Sequence, residues 1–187
     1  MERTVLLLRG INVGASNRVS MPELRKHLAK AGCASAQTYL QSGNVVVTDE
    51  RDVTETQALL ARILKDDFDA DVPMLARTRD ELAAVVSANP LMAIATDPKR
   101  YQVTFLSEPL EPSQIDWISQ RVGPDEEFTS LGRELYGWHP AGIHTSKLAA
   151  AMGAKAALGE RLATARNWTT VTTLLAMCDE PEAVARA

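Results

Sequence analysis

The sequence predicts an α+β fold in two related halves, and three observations carry that expectation. Short β-branched and leucine runs alternate with segments whose apolar residues recur at helical spacing. Helix-capping signatures open several of those segments. A second series of elements, starting at Tyr101, repeats the opening order of the first.

Thr4 to Arg9 is a Val/Leu run of strand length that ends at Gly10. A polar loop, GINVGASNRVS, runs from Gly10 to Ser20. Ser20-Met21-Pro22-Glu23 reads as a capping box, and Met21, Leu24, Leu28 and Ala31 follow at helical spacing until Gly32. Thr38 to Leu40 and Val45 to Thr48 are strand-like and flank Gln41-Ser42-Gly43-Asn44, where glycine and asparagine both tolerate positive φ, so a hairpin is expected. Asp52 to Glu55 caps a second helix with the stripe Leu59, Leu60, Ile63, Leu64 and Phe68, and Val72 to Arg77 returns as a strand. Strand, helix, strand, strand, helix, strand is the ferredoxin-like split βαβ order, βαββαβ.

Thr78 to Glu81 caps a short helix through Val86, after which Asn89-Pro90 and Asp97-Pro98 mark irregular chain. Tyr101, Val103 and Phe105 alternate as a strand, Ile115, Ile118 and Val122 mark a helix, and Phe128 to Trp138 forms a hairpin about Leu131-Gly132. Helices from about Ser146 to Met152 and from about Asn167 to Cys178 are then expected in place of a last strand, which makes the second half a βαββ unit ending in helices. The expected domains are a ferredoxin-like subdomain over 1–86, a linker over 87–100 and a second α+β subdomain over 101–187, with the tail after Asp179 frayed.

No apolar run approaches the roughly 20 residues that span a bilayer, and the opening Met-Glu-Arg-Thr lacks a signal peptide's layout, so a cytoplasmic location is expected. Cys33 and Cys178 stand alone, which points to free thiols, not a disulfide framework. The net charge of −4 argues against a protein that coats nucleic acid or an anionic membrane. Residues 1 to 30 nevertheless concentrate base: Arg3, Arg9, Arg18, Arg25, Lys26 and Lys30 stand against Glu2 and Glu23.

RGINVG at Arg9 to Gly14 with Asn17 and Met21, YLQSGNVV at Tyr39 to Val46, RTRDEL at Arg77 to Leu82, SKL at Ser146 to Leu148 and TARNWTTV at Thr164 to Val171 resemble the bacterial family known as domain of unknown function 1697. The likeness runs nearly from end to end. It implies a two-part fold of ferredoxin-like character and names no reaction or cofactor. Ala15, where the family commonly has glycine, and Leu91 after Pro90, where phenylalanine is common, depart from the pattern.

The loop from Gly10 to Ser20 joins a strand's end to a helix's start, where amides and the helix dipole favour an anion, and Arg9 and Arg18 add charge. It matches neither GxGxxG nor GxxxxGK[ST]. Two readings are open: Asn12 and Asn17 hold a small anionic ligand, or they hydrogen-bond their own loop. Ser42 and Asn44 at the hairpin tip join the ligand-binding candidates, although no GxSxG and no adjacent His or Lys supports catalysis at Ser42. Arg166 either lines a pocket or fixes the last helix. His139 and His144 are five apart without acidic or thiol neighbours, so no metal site is expected. The catalytic residues, if any, and the cofactor stay unknown. Three functions follow: binding of a small anionic ligand at the first loop; a protein-interaction or oligomerisation module; and RNA binding, disfavoured because the first and third strands carry no aromatics for base stacking.

Overall fold

The computed structural model of the chain describes residues 2–13 and 17–180. Gly14 and Ala15 of the first loop, with Ser16, and the tail beyond Glu180 lie outside the described residues.

Met1 to Ala83, together with 173–187, make one compact unit, and Ala84 to Thr172 make another. The first contains β1 (Glu2–Leu8), α1 (Met21–Lys30), β2 (Gln37–Tyr39), β3 (Asn44–Asp49), α2 (Val53–Phe68) and β4 (Met74–Thr78). Its antiparallel sheet runs β2-β3-β1-β4, the strand order of a ferredoxin-like βαββαβ unit. Strand alternation puts Leu6, Leu8, Val45, Val47 and Met74 on one face. That face forms one core with Leu24 and Leu28 of α1 and Leu59, Leu60, Ile63 and Leu64 of α2. Asp52 and Glu55 form the expected capping box on α2. On α1 only half the box forms: Ser20 Oγ accepts from Glu23 N at 3.4 Å, but the Glu23 carboxylate pairs with Lys26 Nζ at 2.8 Å.

Thr78 Oγ1 accepts from Glu81 N, and the Glu81 carboxylate accepts from Thr78 N, so α3 (Arg79–Ala88) starts on a reciprocal cap. The second unit then holds β5 (Tyr101–Leu106), α4 (Pro112–Ser119), β6 (Glu127–Leu131), β7 (Glu134–Trp138), α5 (Lys147–Met152), α6 (Lys155–Leu158) and β8 (Ala163–Asn167), and α7 (Trp168–Asp179) follows. β8 corrects the expectation that helices replace a last strand. Ala-Thr-Ala-Arg-Asn carries no apolar alternation, yet Ala163 to Asn167 pair with β5 along its length. The second sheet is therefore β6-β7-β5-β8, the same order as the first. Leu106, Leu135 and Ala163 pack with Ile118, Leu148, Met152 and Leu158 from α4, α5 and α6. Ser146 caps α5, its hydroxyl accepting from Ala149 N at 2.8 Å. Among the described residues no helix is long and apolar enough to cross a membrane.

Candidate functional site

The loop after β1 is built around Asn12. Its amide N–H donates to Asn17 O at 3.0 Å, which closes the loop on itself with Asn12 at φ 55° and Asn17 at φ 51°. Asparagine tolerates this left-handed backbone better than other residues with a Cβ. The Asn12 side chain then makes three bonds: Nδ2 donates to Val19 O at 3.0 Å and to Gln41 O at 2.9 Å, and Oδ1 accepts from Val19 N at 2.9 Å. One residue thus fixes both ends of the loop and ties them to the β2–β3 turn. Of the two sequence readings for Asn12, the structure shows the loop-holding one.

The turn is equally committed. Gly43, at φ 80°, lies so close to the loop that a Cβ there would sit 2.5 Å from Ile11 Cγ2 and 2.7 Å from Leu8 Cβ. The second residue at positive φ is Leu40 (59°), whereas Asn44, expected to share that role, is extended within β3. Asn44 is fully buried, and its Nδ2 donates to Tyr39 O at 2.8 Å and to Ser42 Oγ at 3.3 Å. Ser42 is exposed and meets no base among the described residues.

The start of α1 offers an anion less than its position in sequence promised. Pro22 has no N–H, Glu23 N goes to Ser20 Oγ, and Leu24 N goes to Ser20 O at 2.9 Å. Positive charge comes instead from two side chains. Arg9 and Arg18 are exposed, and among the described residues neither makes an ion pair or side-chain hydrogen bond. Arg9 N bonds to Pro73 O at 2.8 Å, so β4 fixes the backbone from which its side chain leaves.

Arg166 belongs to β8 of the second unit. It is 9% exposed, and its Nη1 donates to Thr164 Oγ1 and to Ala165 O, both at 2.8 Å. Burial pulls its pKa down to about 10, and these bonds make it a structural part of its sheet. Arg77 of β4 repeats the arrangement in the first unit: it is 1% exposed and its Nη1 donates to Ala76 O at 2.9 Å. Register strengthens the parallel, since Arg77 lies opposite Val5 and Arg166 opposite Val103 on the central strands.

The second unit also holds a buried polar cluster that sequence spacing did not reveal. His139 Nδ1 lies 2.7 Å from Ser146 Oγ. The Glu126 carboxylate accepts from Gly123 N at 2.7 Å and from Leu148 N at 2.9 Å. Burial works against that charge, but hydrogen bonds from Ser146 and these amides hold the carboxyl below its ordinary pKa. His139 Nε2 is buried without a partner among the described residues, and burial holds the imidazole's pKa below its ordinary value. A packed ring of this kind braces α5 against the β6–β7 hairpin, and no metal-binding group of three or more ligands exists among the described residues.

Two antiparallel sheets of matching strand order, joined with helices, define a duplicated α+β protein with its first loop clamped to a hairpin. The chain belongs to the family described as "Protein of unknown function (DUF1697)", whose model matches residues 1–136. A solved structure of a conserved bacterial protein from Streptococcus pneumoniae is similar in fold: TM-score 0.71, 22% identity, covering 94% of this chain and 98% of that one. No curated protein matches this chain.

Proposed function

We propose that the protein binds a small anionic ligand at the loop after β1, with Arg9 and Arg18 supplying the charge. The observation that supports this most is the pair of exposed guanidiniums, without a side-chain partner among the described residues, on a backbone clamped by Asn12. A preset loop lowers the ordering cost of binding, and guanidinium forks match the paired oxygens of carboxylates and phosphates. Glu23, the one acid in the first turn of α1, is engaged by Lys26 and opposes the anion less than a free carboxylate would. A thermal-shift screen of the wild type, Arg9→Ala and Arg18→Ala against inorganic phosphate and phosphate esters tests it. A ligand at a hundred times its Kd adds about 2.7 kcal/mol, or roughly 5 to 10 °C for a chain of this size. The wild type should shift and both variants should not; equal shifts in all three would refute the assignment.

A second reading, a protein-docking surface, is favoured by Val13 and Leu40, 71% and 55% exposed on either side of the Asn12–Gln41 bond. Val13→Ser with Leu40→Ser should then abolish partner capture while leaving any anion shift intact. RNA binding draws no support, because Tyr101, Phe105, Tyr136 and Trp138 of β5 and β7 are all buried.

A further inference from the structure

Glu55, Ala58, Leu59 and Arg62 follow one another at i, i+3, i+4 and i+7 and so make a single stripe along α2. With Ala31 and Arg51 they line an open cleft of about 570 Å³. That volume falls within the usual range of small-molecule sites, about 300–1,000 Å³. Ala58 keeps the middle of the stripe low, while Glu55 and Arg62 rise at its ends, about 10 Å apart along the axis at 1.5 Å per residue.

The polar groups in the cleft are oriented. Arg51 Nη1 bonds to Asp49 Oδ2 and, at 3.3 Å, to Cys33 Sγ, and its Nη2 donates to Ala31 O at 3.0 Å. A guanidinium has five N–H donors, so Nε–H and one Nη2–H are left, a pair suited to a carboxylate. Gly32 lies beside this group at φ 94°, and a Cβ there would press on Nη2 at 3.3 Å. Arg62 is exposed and has no partner among the described residues. Glu55 Oε2 accepts from Asp52 N at 3.2 Å, which leaves its other oxygen unengaged.

Two cations and one anion therefore face the cleft, with Asp49 behind Arg51 holding it in place. We propose that this cleft binds a small molecule bearing two carboxylates and one ammonium, the chemistry of an acidic α-amino acid, with its carboxylates on Arg51 and Arg62 and its ammonium on Glu55. A plain dicarboxylate would leave Glu55 facing like charge, and a diamine would face two guanidiniums. The cleft is separate from the anion loop: Ala31 caps the C-terminal end of α1, and the loop enters at Met21.

Calorimetric titration of the full chain with L-glutamate, L-aspartate, glutarate and putrescine tests the proposal. One of the two amino acids should bind saturably, glutarate should bind at least about tenfold more weakly, and putrescine should not bind. Arg62→Gln should weaken amino-acid binding by about tenfold or more. Glu55→Gln keeps the helix cap, since glutamine serves the same role, and should bring the amino acid down to the level of glutarate. No saturable binding below about 10 mM, glutarate binding as tightly as the amino acid, or an unaffected Arg62→Gln would each overturn the proposal. Arg9→Ala should bind like the wild type, and loss in that variant would place the ligand on the loop instead and overturn it too.

Discussion

Replacing Asn12 with alanine removes three hydrogen bonds at once. A hydrogen bond contributes about 1 kcal/mol net, but a buried group left unpaired costs about 1–3 kcal/mol. Val19 is 2% exposed, so its N–H falls into that second class once Oδ1 is gone. Gln41 is exposed, so its carbonyl turns to water at little cost. Alanine at φ 55° adds about 1 kcal/mol of backbone strain. The sum is about 3–4 kcal/mol for Asn12→Ala. Asn12→Gly loses the same bonds without the strain and should cost about 1 kcal/mol less. Urea unfolding followed by far-ultraviolet circular dichroism measures both, because Trp117, Trp138 and Trp168 all lie in the second unit and their fluorescence would not report the loop directly. If both variants unfold within about 1 kcal/mol of the wild type, Asn12 does not clamp the loop.

Gly43→Ala must place a Cβ against Ile11 and Leu8 at positive φ, whereas Gly10→Ala, at φ 73°, meets nothing within 4 Å, so the first should cost about 2 kcal/mol more by urea midpoint. His139 binds its proton less well folded than unfolded, because burial outweighs the pull of Glu126, so its stabilisation is complete above about pH 6.5 and is lost as pH falls towards the depressed folded value. Tryptophan-monitored unfolding should therefore show the wild type losing more stability than His139→Gln between pH 7.5 and 5.5, and equal losses would remove His139 as the cause. Burial pushes the thiols of Cys33 and Cys178 up to about 11 each, so at pH 8 a thiol reagent should label the native protein at least about a hundredfold more slowly than the urea-unfolded chain.

The first half of the fold could be read from sequence because its stripes and caps are strong: Asp52 with Glu55 and Thr78 with Glu81 form the boxes that their spacing announced. β8 could not, since Ala163, Thr164 and Arg166 are buried by position in a sheet and not by apolar character. The hairpin was visible in Ser42-Gly43-Asn44, but its second positive-φ residue is Leu40, which no propensity favours there. The loop's polar residues were legible as a group, while their division of labour was not. Asn12 and Asn44 spend their amides on carbonyls that only the folded register brings near, and the Arg9 and Arg18 side chains meet no partner among the described residues. The His139–Ser146–Glu126 cluster and the Arg51 cleft join residues separated by loops, so no spacing rule reaches them.

The loop assignment is tested most directly by titrating inorganic phosphate into isotopically labelled protein while following backbone amides and arginine Nε–H signals by NMR. The expected result is saturable shifts confined to residues around Gly10–Val13 and Asn17–Ser20 and to Arg9 and Arg18 Nε–H, absent in Arg9→Ala. Shifts that are linear in phosphate and spread over all exposed arginines, or that saturate elsewhere, would contradict it.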